Sequence, residues 1–175
     1  MEDSKKRQNA TSEIEGSIQE KVIQIDRVNK VVSGGKRMAF RAVVISGDLA
    51  GKVGIGLGKS KEVPNAIRKA VEKSKKNFVA INMVNGTIPH PVEGNFGSCR
   101  VVMKPARPGT GVIAGGAVRI LLELVGMENI VAKIIGSNNS INAIKAALDG
   151  LKKCKDLEAE SKLRGKVFKV RRLTS

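Results

Sequence analysis

Gly58-Lys59-Ser60 has the ending of a phosphate-binding P-loop, whose chemistry would be to cradle the phosphates of a nucleotide. Such a loop needs a first glycine five positions before Gly58. That position is Val53, so the match fails where the backbone must wrap phosphate. Gly109-Thr110-Gly111-Val112-Ile113-Ala114 has the spacing of a dinucleotide fingerprint. Pro105 and Pro108 precede it, and no βαβ unit of about 30 residues has it as a first turn, so a tight loop feeding a closely packed helix is expected. His90, the single histidine, stands between Pro89 and Pro91 with no spaced nucleophile or orienting group, and reads as a turn or interface residue. Cys99 and Cys154 lack CxxC or Cys/His spacing and read as spare thiols, not as a disulfide or metal site. No paired carboxylates stand out. The expectation is a protein without catalytic residues, metal ligands or cofactor.

What the same segment does offer is bare backbone beside positive charge. Gly54, Gly56 and Gly58 recur at period two, which on a strand puts all three on one face and Val53, Ile55 and Leu57 on the other. Glycine weakens a strand interior, so three on one face imply that something large comes close to the backbone. Lys52, Lys59 and Lys61 lie beside that face, and the expected guest is a polyanion. A second cluster is the segment Asn29–Arg37, where Ser33, Gly34 and Gly35 form a hairpin tip flanked by Arg27, Lys30, Lys36 and Arg37. Such a tip can push cations and free amides into a groove. Arg68, with Lys69, Lys73, Lys75 and Lys76, lies largely outside the apolar stripe of the following helix. The candidate RNA contacts are therefore Arg27, Lys30, Ser33, Gly34, Gly35, Lys36, Arg37, Lys52, Gly54, Gly56, Gly58, Lys59, Lys61 and Arg68.

Composition narrows the guest. The 175 residues include 32 Lys plus Arg against 16 Asp plus Glu, a net charge of +16 and a pI near 10.2, which points to nucleic acid or an anionic membrane. No apolar run approaches the roughly 18 residues of a spanning helix, so a membrane is the weaker choice. Met1 is followed by the polar stretch EDSKKRQNATSEIEG, without the apolar core of a signal peptide or the Arg-rich character of a transit peptide. The chain is expected to work where it is made. Aromatic residues are 2%, with no Trp or Tyr, which argues against stacking platforms for single strands. Between residues 17 and 82 there are fourteen basic and five acidic residues, so the footprint concentrates there and in the tail beyond residue 151.

The elements that must hold these residues read as follows. Val22, Ile25, Val28, Val31 and Val32 suggest a strand ending at Ser33-Gly34-Gly35, and Met38 to Ile45 a second, followed by the glycine strand as the third of an antiparallel meander. Val63, Ala66, Ile67, Ala70, Val71, Ser74 and Phe78 fall at helical spacing, with Ser60 as expected N-cap and Pro64 in the first turn. After a linker the pattern restarts. Thr87 to Val92 and Ser98 to Lys104 read as a hairpin around EGNFG, KPARPGTG as a loop, Gly115 to Gly126 as a helix, Ile130 to Ile135 as a strand and Ile141 to Leu151 as a helix. The expected organisation is a flexible tail 1–16, a β-β-β-α domain 17–80, a linker 81–86, a C-terminal α+β domain 87–152 and a basic tail 153–175.

KVVSGGKRMAFRAVVISGDLAGKVGIGLGKSKEVPNAIRKAVEKSKKN, GTIPHPVEG and PGTGVIAGGAVRILLELVGMENIVAKIIGSNNSINAIKAALDGL together closely resemble the bacterial and plastid ribosomal protein five family of the small subunit, in unbroken order over about residues 16–151. The resemblance implies an α+β fold of two domains. The first is like a double-stranded-RNA-binding fold and the second is the β-α-β sandwich of this family. It implies binding to small-subunit rRNA, contact with ribosomal proteins four and eight, and a place beside messenger RNA at the channel where it enters the subunit. It also implies roles in subunit assembly and translational accuracy, with the hairpin Val28 to Arg37 reaching toward the head and neck of the particle. Two departures stand out: the first helix of ordinary double-stranded-RNA-binding domains is absent, and KKN stands where their basic helix motif would be. Fixed-site rRNA binding is thereby favoured over generic duplex reading. The competing classes are a free duplex-RNA-binding module outside the ribosome and a nucleotide-dependent enzyme. Lys exceeds Arg by 21 to 11, which with the frequent Ile and Asn suggests an AT-rich gene. The expected location is a small ribosomal subunit in the plastid stroma or the bacterial cytoplasm, leaning to the plastid.

Overall fold

The computed structural model describes residues 18–165. The expected N-terminal tail and the KVFKVRRLTS segment lie outside the described residues. Four antiparallel strands, β1 (Gln19–Val32), β2 (Gly35–Gly47), β3 (Lys52–Ser60) and β4 (Phe78–Ala80), form the first sheet in sequence order. The helix α1 (Val63–Lys76) lies between β3 and β4 in the chain. The second sheet has the order β5-β6-β8-β7, from β5 (Val92–Phe96), β6 (Cys99–Pro105), β7 (Val112–Ile113) and β8 (Ile130–Gly136). Its helices are α2 (Gly116–Val125), which joins β7 to its parallel neighbour β8, and α3 (Ser140–Lys152); a further helix α4 (Leu157–Arg164) follows.

The guest of the glycine face is the chain's own helix. Ala66, Ala70 and Ser74 are buried along one side of α1, spaced four residues apart. Four helical residues rise about 6.0 Å and two strand residues about 6.8 Å, so the two stripes run nearly in step. Gly58 faces Ala66, Gly56 faces Ala70 and Gly54 faces Ser74; a Cβ at any of the three would fall inside 3.0 Å of a helix carbonyl oxygen. The expectation that Gly54, Gly56 and Gly58 present bare backbone to RNA is therefore corrected, because that backbone is covered. Register explains the rest of this layer: Ala42, Val44 and Ser46 of β2 pair with Gly58, Gly56 and Gly54 and share their face. Ser46 and Ser74 meet there hydroxyl to hydroxyl at 2.5 Å, and Ser74 Oγ also donates to the Val71 carbonyl at 2.8 Å, so both polar groups are satisfied in the core.

The opposite face of the same sheet carries Val43, Ile45 and Val53, all fully buried, and they pack into one cluster with Val118, Leu121, Leu122 and Val125 of α2. The core thus runs across residues 81–86 without a break. Backbone hydrogen bonds stitch the same junction. Met127 N–H donates to Leu122 O and Gly126 N–H to Glu123 O, both at 3.0 Å, while the β2–β3 turn supplies Leu49 N–H to Leu124 O at 3.2 Å and Gly51 N–H to Val125 O at 3.0 Å. All four terminal carbonyls of α2 are satisfied, two of them by a turn of the first sheet. Gly126 has φ +93 and its α-carbon lies against the Leu49 carbonyl, so a side chain is excluded there twice over.

In the second sheet Gly94 repeats the close approach, under Ala146 and Gly150 of α3. Its other face alternates outward, with Arg100 and Lys104 on β6 and Val131, Lys133 and Ile135 on β8 exposed.

Several expected elements are displaced. Ser60 ends β3 and Glu62 is the N-cap, without a side-chain capping bond, while Pro64 does sit in the first turn. Phe78 belongs to β4 and not to the helix, which makes the first unit β-β-β-α-β. The 81–86 segment is tied down: Ile81 N–H donates to Gly51 O at 2.8 Å, and Val84 pairs with Thr87. β5 starts at Val92, and the hairpin turns at Gly97-Ser98, because Glu93, Gly94 and Asn95 are in the strand. The glycine loop after Pro108 feeds the two-residue strand β7 before the helix.

Gly56→Val should destabilise the isolated protein by on the order of 3 kcal/mol or more in urea unfolding, since helix backbone and not a flexible side chain must yield. A midpoint equal to wild type would show that α1 is not held at that distance.

Candidate nucleic-acid interface

β1 and β2 pair from Gln19↔Gly47 to Val32↔Gly35, yet burial follows them only part of the way. Residues 42–47 of β2 are buried, whereas residues 33–38 are exposed. The six residues of β1 beyond Asp26 therefore form an arm of about 20 Å. At its two-residue tip, Ser33-Gly34, the backbone is open: among the described residues a Cβ added at Gly34 or Gly35 has no atom within 4 Å. Gly35 has φ +131, which reserves the position for glycine.

The root of the arm is pinned from both sides. Glu20 pairs with Lys75 of α1 at 3.1 Å, and Lys21 with Glu123 of α2 at 3.0 Å. Arg119 also holds Glu123, at 2.9 Å, and hydrogen bonds first from Arg119 and then from Lys21 lower the carboxyl below its ordinary value. The pairing then slips by one residue between Val22 and Gln24, a bulge at Ile23 that twists the strand as it leaves the body. Just beyond it, Asp26 receives Arg41 Nη2 at 2.7 Å, Arg41 Nε at 3.2 Å and Gln24 Nε2 at 2.6 Å. Asp26 and Arg41 are direct cross-strand partners, so this cluster clasps the two strands where the core ends. The Arg41 hydrogen bond, followed by that of Gln24, lowers the Asp26 carboxyl.

Strand periodicity sorts the candidate cations onto two faces. Lys30 pairs with Arg37, Asp26 with Arg41 and Arg41 with Lys59, which puts Lys30, Arg37, Arg41 and Lys59 in one track on the face away from α1. Arg27, paired with Phe40, and Lys36, paired with Val31, lie on the α1 side, where the exposed Arg68 and Lys69 also stand. Arg68 is engaged with Glu72 at 3.4 Å. Lys61 is exposed between β3 and α1, at the arm's end of the sheet. Lys52 is exposed at the other end of β3, opposite Ala80 and away from the track. Arg41 was missed by sequence reading, although it shares the parity of Arg37 in an alternating strand.

Elsewhere the chemistry is quiet. Among the described residues no group of three His, Cys, Asp or Glu is placed to hold a metal, and no helix is long and apolar enough to cross a membrane. Cys99 and Cys154 are free and buried, and burial pushes the Cys154 thiol up to about 11. His90 Nε2 accepts from the Lys155 backbone N–H at 3.1 Å, and its Nδ1 lies 3.0 Å from the Pro91 carbonyl, so it fastens the segment after α3.

Comparison with known proteins bears on both halves. Residues 18–82 match the family described as ribosomal protein S5, N-terminal domain, and residues 94–164 match ribosomal protein S5, C-terminal domain. A protein of Syntrophobacter fumaroxidans named small ribosomal subunit protein uS5 is 52% identical over 147 residues, covering 84% of this chain and 89% of its own length.

The clasp has a pH signature. The Asp26 carboxyl is lowered in the folded state, so its stabilisation is complete above the ordinary carboxylate value of about 3.9 and is lost as pH falls through the lower folded value. Asp26→Asn should accordingly be less stable than wild type at neutral pH, and the two unfolding curves should converge in acid. A difference independent of pH would remove the ion pair from the account.

Proposed function

The chain belongs to the ribosomal protein S5 family, and from that premise we propose that it is a structural constituent of the small ribosomal subunit, bound to rRNA and needed for assembly of the particle. The observation that carries this is the arm: a hairpin pinned at its root and clasped where the core ends, whose tip glycines have open space around them among the described residues. Residues 27–38 include Arg27, Lys30, Lys36 and Arg37 and no carboxylate, which suits phosphate. Lys59 and Arg41 extend the cationic track to the body of the first sheet, and Lys61, Arg68 and Lys52 are proposed as peripheral contacts. Ser33, Gly34 and Gly35 would approach RNA through backbone amides. Each duplex phosphate neutralised contributes a slope of roughly −0.9 to the dependence of log affinity on log salt.

Finer assignments belong to the same proposal. The outer face of the second sheet, where Ile113, Val131 and Ile135 are 53%, 39% and 49% exposed beside Lys104 and Lys133, is a surface suited to protein neighbours such as ribosomal proteins four and eight. Contact with messenger RNA at its channel into the subunit, and an influence on translational accuracy, are assigned to the arm and its basic track. A free duplex-RNA-binding module is not favoured, given a relative named as a small-subunit protein across most of both chains. The lean toward a plastid gains no support from that relative, which is bacterial, and a small ribosomal subunit of bacterial type is the location proposed.

The chain should sediment with small subunits in cell extracts; recovery solely in light fractions would overturn the proposal. Lys36→Glu with Arg37→Glu should lower incorporation into subunits or raise the decoding error rate. Wild-type values for both would remove the tip from the function.

A further inference from the structure

The arm carries more than charge. Val31 is 73% exposed and Met38 is 53% exposed, and both lie on the α1 side of the arm, where Val31 pairs with Lys36 and Met38 with Asn29. The Arg27 guanidinium lies against Met38 Sδ from the same face. The opposite side of the arm presents Lys30 and Arg37 around the half-buried Val28 and Ala39. An arm working by charge alone gains nothing from exposed apolar side chains, and on an edge strand such as β1, which carries Val31, they invite aggregation. Their occupant is identified by what surrounds them: four cations and no carboxylate between residues 27 and 38 favour a polyanion over a protein strand.

We infer that the Val31–Met38 face of the arm docks into a shallow groove of folded rRNA, its apolar side chains against ribose and base edges, with Arg27 and Lys36 at the flanking phosphates. The minor groove of A-form RNA is wide and shallow enough to admit such a face, and apolar side chains are a recurrent means of grasping nucleic acid from that side. The Lys30–Arg37 side is then the salt-sensitive half of the grip and the Val31–Met38 side the salt-insensitive half. This rests on the reading of the arm as an RNA contact, and the two can fail separately.

The test is binding of the full chain to full-length small-subunit rRNA across a range of salt. Val31→Ser with Met38→Ser should weaken binding about tenfold or more while leaving the log–log salt slope at its wild-type value, because apolar area and not charge is removed. Val31→Ile with Met38→Leu should bind as wild type. Lys30→Gln with Arg37→Gln should instead flatten the slope by up to about 2. Wild-type affinity for the Ser variant, or a loss that comes with a flattened slope, overturns the inference. If the Gln variant keeps both affinity and slope and the Ser variant binds as wild type, the arm is not an RNA contact, and the reading of the arm on which the inference rests falls with it. Should the double Ser variant unfold at a lower temperature than wild type, Val31→Ser alone decides the matter.

Discussion

The carbonyl oxygens of Ala66, Ala70 and Ser74 stand where the side chains of β3 would otherwise be, and the N-terminal half of the protein is organised around that exclusion. By giving up three side chains, β3 lets a helix lie on the sheet at backbone distance. The loss of three apolar contacts is offset by close contact along the whole interface. The partners on the helix are small for the same reason, and the paired Ser46 and Ser74 hydroxyls fit because Gly54 leaves room beside them. With α1 seated flat on one face, the other face of the sheet remains available to α2. That second seat fuses the two halves. Gly94 under Ala146 and Gly150 shows the same solution in the second sheet, with different residues and on a separate strand.

Much of this was legible in the sequence, and the failures are informative. Five of the six longer strands and the three main helices follow from period-two and period-3.6 patterning, which burial on one face imposes directly, while β5 lies beyond the expected Thr87 to Val92. Period two also announced that the backbone of β3 is closely approached. It could not say by what, because a helix and a polyanion demand the same absence of Cβ. The decisive clue was Ala66, Ala70 and Ser74 at four-residue spacing, which matches the glycine repeat in length and was read only as helix core. The short strands β4 and β7 escaped because three and two residues carry no period. The extra β1 residue at Ile23 escaped because a bulge erases alternation locally: it puts Val22 and Ile25, three residues apart, on one face, while Val28 lies on the other. The tip of the arm was visible because glycine and lysine clusters need no tertiary context. Its two faces were not separated until register was known.

An arm that leaves the body of the protein must be rigid at its base for its tip to have a definite position. The structure meets this with ion pairs of modest individual strength placed where they share one task. Lys21 and Glu20 point to opposite faces and find helices on both. The carboxylate of Asp26 sits among cations, where it lowers the net attraction for phosphate but holds Arg41 across the strands. Charge is thus divided along the hairpin: paired at the root, where it fixes direction, and unopposed beyond residue 26, where it meets the guest.

The shared core has a consequence for the order of events during synthesis. Val43, Ile45 and Val53 are made early, but α2, which covers them, ends at residue 125. At about 5–20 residues per second, some 65 residues of delay leave that sheet face uncovered for roughly 3–13 s. Through that interval the nascent chain presents an apolar sheet beside a long β1 edge, a surface that invites premature partners. Each molecule therefore passes through a half-roofed state whose lifetime is set by translation speed, and a pause between residues 60 and 125 would lengthen it.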